Sequence, residues 1–133
     1  MDKAFFTGWG NVKRSESFLR EPTSADEVRK IILSSGSNGS IARGSGRSYG
    51  DQAMNEHGNI IRLSSQAERW SQVDNEAVIT VSSSVTFSEL LKYLVPLGWY
   101  LPVVPGTGFV TIGGAIAADI HGKNHFHTSS LAS

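Results

Sequence analysis

Pro105-Gly106-Thr107-Gly108-Phe109-Val110-Thr111-Ile112-Gly113-Gly114-Ala115-Ile116-Ala117-Ala118-Asp119-Ile120-His121-Gly122-Lys123-Asn124-His125 is the stretch on which the fold turns. It holds five glycines, a run of small residues and two histidines, with almost no bulk. Glycine has no Cβ, so its backbone can come close to something flat or highly charged. A second such loop lies upstream, Ala42-Arg43-Gly44-Ser45-Gly46-Arg47-Ser48-Tyr49-Gly50-Asp51. Two glycine-rich loops far apart in sequence predict one elongated ligand held from two sides.

The elements around these loops are legible from capping and periodicity. Ser24-Ala25-Asp26-Glu27, with Pro22 before it, fits a capping box. Val28, Ile31, Ile32 and Ser35 then share a helical face, and Gly36 with Gly39 closes the element. Ser40-Ile41-Ala42 reads as a short strand feeding the first glycine loop, and Asn59-Ile60-Ile61-Arg62-Leu63 as a second strand. Ala77-Val78-Ile79-Thr80-Val81 is a β-branched run and reads as a third. Thr86-Phe87-Ser88-Glu89 is another capping box; its helix carries Leu90, Leu91, Leu94 and Val95 and stops at Pro96. Leu101 to Pro105 is extended, because residues before proline avoid the helical region. Thr111 to about Ala118 is read as a short helix of small residues. The predicted order is helix, three strands, helix, glycine-rich segment: an α+β fold without a regular βαβ repeat. Trp9, Phe18, Trp70, Phe87, Trp99 and Tyr100 are expected to bury area in the core.

Composition narrows the function. The 133 residues are 39% hydrophobic and 18% charged, which fits a globular domain. Twelve basic and twelve acidic side chains cancel, which argues against a general affinity for nucleic acid or an anionic membrane. Any anion must therefore be held locally. The absence of cysteine excludes disulfides and thiolate sites. No apolar run reaches the roughly 18 residues of a membrane span. The first residues lack the apolar region of a signal peptide, so a cytoplasmic location is expected.

The first loop follows a strand with the spacing G-x-G-x-x-x-G, one residue longer than the dinucleotide fingerprint. Successive amides in such a turn form an anion-binding nest. Ser45 and Ser48 add hydroxyls, and Arg43 and Arg47 add charge, a set that suits a pyrophosphate. A tight turn with two solvated arginines is the competing reading. In the second segment, Ile112 to Ala118 offers a smooth surface for a flat ring system, or else for close packing of a helix. His121, His125 and His127 form H-x3-H-x-H. Histidines four apart on a helix can chelate zinc. Gly122 and Asn124 are poor helix formers, however, and Asp119 is the one nearby carboxylate, so no metal site is assigned.

Taken together, these segments resemble the FAD-binding domain of the vanillyl-alcohol oxidase and p-cresol methylhydroxylase superfamily (PCMH-type). The resemblance runs from about Trp9 to Leu131 through the ordered set Pro22 to Val28, Arg43 to Asp51, Ile79 to Leu94, and Pro105 to Ala117. Gly46 to Asp51 and Asp119 to His125 look most like the decaprenylphosphoryl-ribose 2-oxidase group. The resemblance implies a small βαβ-type subdomain followed by the start of a second α+β subdomain. It implies FAD as cofactor, with Arg43, Gly44, Ser45, Gly46, Arg47, Ser48 and Tyr49 around the pyrophosphate. Pro105, Gly106, Thr107 and Gly108 would lie along the phosphate and ribose side. Val110, Gly113, Gly114, Ala117, His121, Gly122, Asn124 and His125 would line the flavin end. Some members tether FAD covalently through a histidine in the first loop; Arg47 stands there in this chain, so non-covalent FAD is expected.

The implied activity is oxidation of a CH–OH group of a sugar or alcohol by the parent enzyme. Residues 1–133 are expected to be an amino-terminal fragment that lacks the cap domain, its substrate contacts and most catalytic residues. No catalytic residue is assigned. The alternatives are a non-catalytic nucleotide-binding or assembly module, which could work with a partner chain, and, behind it, a small metal site on His121, His125 and His127. Ser84 departs from a usual glycine, and Phe126 and Ser129 to Ala132 depart from the related group's pattern.

Overall fold

The structure is a computed structural model that describes residues 3–64 and 78–122. The chain divides into two compact units, Met1–Ser64 and Ser65–Ser133.

The first unit is built on strands β1 (Lys3–Thr7), β2 (Arg14–Arg20), β3 (Ser40–Ala42) and β4 (Asn59–Ile61), ordered β1-β2-β4-β3 in one sheet. β1 and β2 form an antiparallel hairpin in which Lys3 faces Phe18 and Thr7 faces Arg14. β4 lies parallel to both its neighbours: Ile60 sits between Leu19 and Ile41, and Ile61 between Arg20 and Ala42. Helix α1 (Ala25–Leu33) connects β2 to β3, so β2-α1-β3 is a crossover that leaves room for β4 in the middle. Ile60 and Ile61 are buried on this central strand.

The helix start expected from the sequence is present, with one change. Ser24 caps α1 by accepting from the Glu27 amide at 3.2 Å, but the Glu27 carboxylate reaches back to Thr23, accepting from its amide at 2.7 Å and its hydroxyl at 3.1 Å. After α1 a 3-10 turn at Gly36–Asn38 leads into β3. β4 stops at Ile61, two residues short of the expected run. The hairpin β1–β2 precedes the first helix and was not read from the sequence. Its second strand turns Ser15 and Ser17 inward, both buried, where an apolar pair would have announced a strand. The Ser17 hydroxyl donates to the Asn55 carbonyl at 2.6 Å, which satisfies it inside.

The second unit contains α2 (Phe87–Leu94) and α3 (Ile112–Ala117). Thr86 and Glu89 close a full capping box at the start of α2: the Glu89 amide donates to the Thr86 hydroxyl oxygen, and the Thr86 amide donates to the Glu89 carboxylate. α2 ends at Leu94 and tightens into a 3-10 turn, Val95–Leu97, that contains Pro96; Gly98 at φ 81° turns the chain away. Val85, Leu90 and Leu94 form the core, with Ile79, Val81, Leu101 and Ile112 packed against it. Of the expected strand 77–81, Ala77 lies outside the described residues. Among the described ones Val81 stands in a β-bridge, Ile79 and Val81 pack against the core, and Val78 is exposed.

The aromatic expectation needs correction. Phe87 is fully buried, but Trp9, Trp99 and Tyr100 are exposed and Phe18 is half-buried; Trp70 lies outside the described residues. Among the described residues no helix is long and apolar enough to cross a membrane.

Candidate functional site

The glycine loop 43–51 begins where β3 ends, at the carboxyl end of parallel strands, the end at which open α/β sheets bind ligands. Its first residue braces the loop. The Arg43 amide continues the ladder to the Ile61 carbonyl at 2.8 Å. Its guanidinium donates to the Ala53 carbonyl at 2.8 Å and the Thr7 carbonyl at 2.7 Å, with the Phe6 ring 5.2 Å away. Burial, and secondarily the Arg62 charge, pull its pKa below the ordinary arginine value. An arginine stays cationic through any such shift at physiological pH. Arg43 is expected to supply charge to a phosphate; in this structure two of its nitrogens donate to carbonyls of the chain itself.

Gly46 follows at φ 64°, the left-handed region. A Cβ there would run into the Arg43 guanidinium, 2.9 Å from Cζ. Glycine at this position therefore serves the loop's own turn and its brace. The amides of Gly44, Ser45, Gly46, Ser48 and Tyr49 donate to no acceptor among the described residues. Gly44, Ser45 and Tyr49 are exposed. Consecutive amides left free in a glycine turn are the donor set of an anion nest.

The tip of the β1–β2 hairpin closes onto this loop, and these are the residues that sequence reasoning missed. The Trp9 amide donates to the Ser48 carbonyl at 2.7 Å. The Arg47 guanidinium lies over the Trp9 ring, 4.2 Å from its centroid. A Cβ on Gly8 would meet the Gly50 carbonyl and sit 2.9 Å from the Tyr49 carbonyl; one on Gly10 would sit 3.1 Å from the latter. Lys13 and Asp51 approach at 3.5 Å. The signal available in the sequence was Gly8-Trp9-Gly10, an aromatic between two residues that permit close backbone approach.

In the second unit the expected residues fall into two groups. Pro105, Gly106, Thr107, Gly108 and Val110 form a turn against the start of α2. The Gly108 carbonyl accepts from the Ser88 amide at 2.8 Å and the Val110 carbonyl from the Phe87 amide at 3.0 Å, which satisfies two amides at that helix end. Gly108 is packed: a Cβ would strike the Ser88 hydroxyl. Gly106 is open, with nothing within 4 Å of where a Cβ would stand.

The other group comprises α3 and the residues just beyond its end. Thr111 caps α3 by accepting from the Gly114 amide at 3.1 Å, and bridges to Thr86 across an antiparallel pair. Gly113 donates to the Ser83 carbonyl at 2.9 Å, and a Cβ on it would lie 2.9 Å from the Ser83 Cβ. Its bareness is thus used against Ser83. Gly114 and Ala117 are exposed. The nearest atom to a Gly114 Cβ is its own cap, the Thr111 hydroxyl, at 3.0 Å. The helix ends in a Schellman turn, with Asp119 at φ 44°, its amide on the Ile116 carbonyl and the Ile120 amide on the Ala115 carbonyl. His121 is exposed, with Nδ1 3.4 Å from the Asp119 carbonyl oxygen; Gly122 is buried. Asn124, His125 and His127 lie outside the described residues. Among the described residues no cluster of three metal-ligating side chains occurs.

In the first unit the donor set of the 43–49 loop fits a phosphate-bearing ligand; in the second unit Gly106, Gly114 and Ala117 are exposed. Likeness to known proteins bears on which ligand. The FAD binding domain family matches residues 17–132. The decaprenylphosphoryl-beta-D-ribose oxidase of Mycolicibacterium smegmatis is 35% identical over 127 residues, which is 93% of this chain and 28% of that protein. An uncharacterised protein of Streptomyces coelicolor is 48% identical over 48 residues, 36% of this chain and 13% of that one. Among solved structures, cholesterol oxidase from B. sterolicum matches with a TM-score of 0.65 over 91% of this chain and 24% of that chain, at 16% identity, a likeness of fold alone. This chain therefore spans well under half the length of the relatives it matches.

Proposed function

The chain belongs to the FAD binding domain family, and from that premise we propose that it holds FAD non-covalently for an oxidoreductase acting on a CH–OH group of a sugar or alcohol. The observation that carries the reading is the free donor set of the first loop. The amides of Gly44, Ser45, Gly46, Ser48 and Tyr49 are gathered on a braced turn at the carboxyl end of β3, with no acceptor among the described residues. In a chain of zero net charge, such a local nest is the feature that answers a pyrophosphate.

In this reading the amides of the first loop and the Arg47 guanidinium hold the two phosphates. Arg43 keeps the loop in shape from behind. The resemblance assigns Gly106 and Thr107 to the ribose side, and Gly114, Ala117, His121, Asn124 and His125 to the flavin end. Bound flavin supplies the chemistry, accepting a hydride from a C–H bond beside an oxygen. Arg47 has no atom that forms the covalent tether some relatives make through histidine, so the cofactor is released on unfolding. The sugar or alcohol substrate is supported by the Mycolicibacterium relative, whose name gives a ribose oxidase. The substrate contacts are assigned to the larger part of such a protein, outside these 133 residues.

Titration of the purified chain with FAD tests this directly. Saturable binding, with flavin absorption in the blue and yellow colour in the supernatant after acid precipitation, is the expected result. No binding overturns the cofactor assignment, and colour left on the pellet overturns the Arg47 argument.

A further inference from the structure

We propose that Trp9 is a positioning residue for Arg47, and that the β1–β2 hairpin tip acts as a clamp that sets the phosphate loop before any ligand arrives. This rests on the FAD reading above. Three independent contacts converge on it. The indole face carries the Arg47 guanidinium at 4.2 Å, within the range of a cation–π contact. The Trp9 amide holds the Ser48 carbonyl at 2.7 Å, one residue beyond Arg47. Gly8 and Gly10, on either side of Trp9, sit so close to the carbonyls of residues 48–50 that neither has room for a Cβ without a shift.

The tip has the shape this needs. Asn11 adopts φ 51° and its amide donates to the Gly8 carbonyl at 3.1 Å, which reverses the chain directly beside Trp9. Lys13 then reaches Asp51 at the far end of the loop. Trp9 itself is 57% exposed, so its main return is not burial of area. A long arginine loses much rotamer freedom when it takes up one geometry on a phosphate. A guanidinium already held over an indole has given up part of that freedom in the free protein, and a ligand gains affinity by that amount. Trp9 touches no cofactor atom in this scheme; it acts through Arg47.

The test is a double-mutant cycle on FAD affinity with an independent readout on the free chain. Trp9→Leu weakens FAD binding about three- to thirty-fold, the range of a cation–π contact. Trp9→Phe, which keeps a ring face, restores most of it. Trp9→Leu costs nothing further in an Arg47→Ala background, because the partner is already gone. In the FAD-free protein, the Arg47 side-chain protons are shifted upfield by the indole ring current, and that shift vanishes in Trp9→Leu. Should Trp9→Leu fail to fold, the same cycle is run with Trp9→Met, which also removes the ring face. A wild-type chain that binds no FAD overturns the cofactor reading and this role with it. Wild-type binding with fully additive losses, or with no ring-current shift on Arg47, overturns the role of Trp9 alone.

Discussion

Gly113 and Gly114 are neighbours in the chain with opposite surroundings. Gly113 presses on Ser83, while Gly114 faces outward with only its own capping threonine near. The sequence shows two glycines in a smooth run, and nothing in that run says which one is occupied by protein. Their substitutions separate accordingly. Gly113→Ala is expected to cost about 1–3 kcal/mol, because Ser83 or the helix start must move to admit the methyl group. Gly114→Ala is expected to stay within about 1 kcal/mol of wild type in urea unfolding, since better helix propensity offsets the crowding of Thr111. If the flavin lies against Gly114, that same variant weakens FAD binding while keeping the fold. Arg43 teaches a similar lesson. Its charge was legible in the sequence; its commitment to the carbonyls of Thr7 and Ala53 was not, because both acceptors belong to backbone that any residue would supply.

At the scale of elements, capping chemistry is local and was therefore readable. Thr86→Ala is expected to destabilise the second unit by about 0.5–2 kcal/mol, seen as a lower urea midpoint, because it removes the hydroxyl that accepts from the Glu89 amide and donates to the Glu89 carboxylate. The α1 start offers a pH test. The Thr23 amide and then the Thr23 hydroxyl, donating to Glu27, hold its carboxyl below the ordinary range. A carboxylate with a lowered folded-state pKa contributes its stabilisation above the unfolded value, near 4.3 for glutamate, and loses it as pH falls through the folded one. Amide exchange at residues 23–27 should therefore quicken only in that acid window, and Thr23→Val should narrow the window by removing one of the two donors. What sequence reasoning lost at this scale was β2, whose inward face is serine, and β4's true length. A buried hydroxyl that finds a distant carbonyl, as Ser17 finds Asn55, leaves no periodic trace.

At the scale of the whole chain, the ordered set of motifs carried the family, and the match over residues 17–132 establishes it. Fold class was legible because the order of motifs is a property of the sequence. The exposed faces of Trp9, Trp99 and Tyr100 were not, since an aromatic looks the same in a string whether it fills a core or lies on a surface. The assignment of cofactor ends gives a prediction for the full chain. ADP, which carries the diphosphate without the flavin, should slow hydrogen exchange across residues 43–51 and leave residues 112–118 unchanged, whereas FAD should protect both. Protection of 112–118 by ADP alone would reverse the assignment. The Arg43 brace also has a practical reach. One guanidinium ties Thr7, near the amino terminus, to Ala53, beyond the far end of the loop. Trimming the leading residues past Thr7, or welding a rigid fusion partner onto them, would slacken a hinge thirty-six positions away in the chain; purification handles and reporter fusions intended to leave this loop undisturbed belong elsewhere.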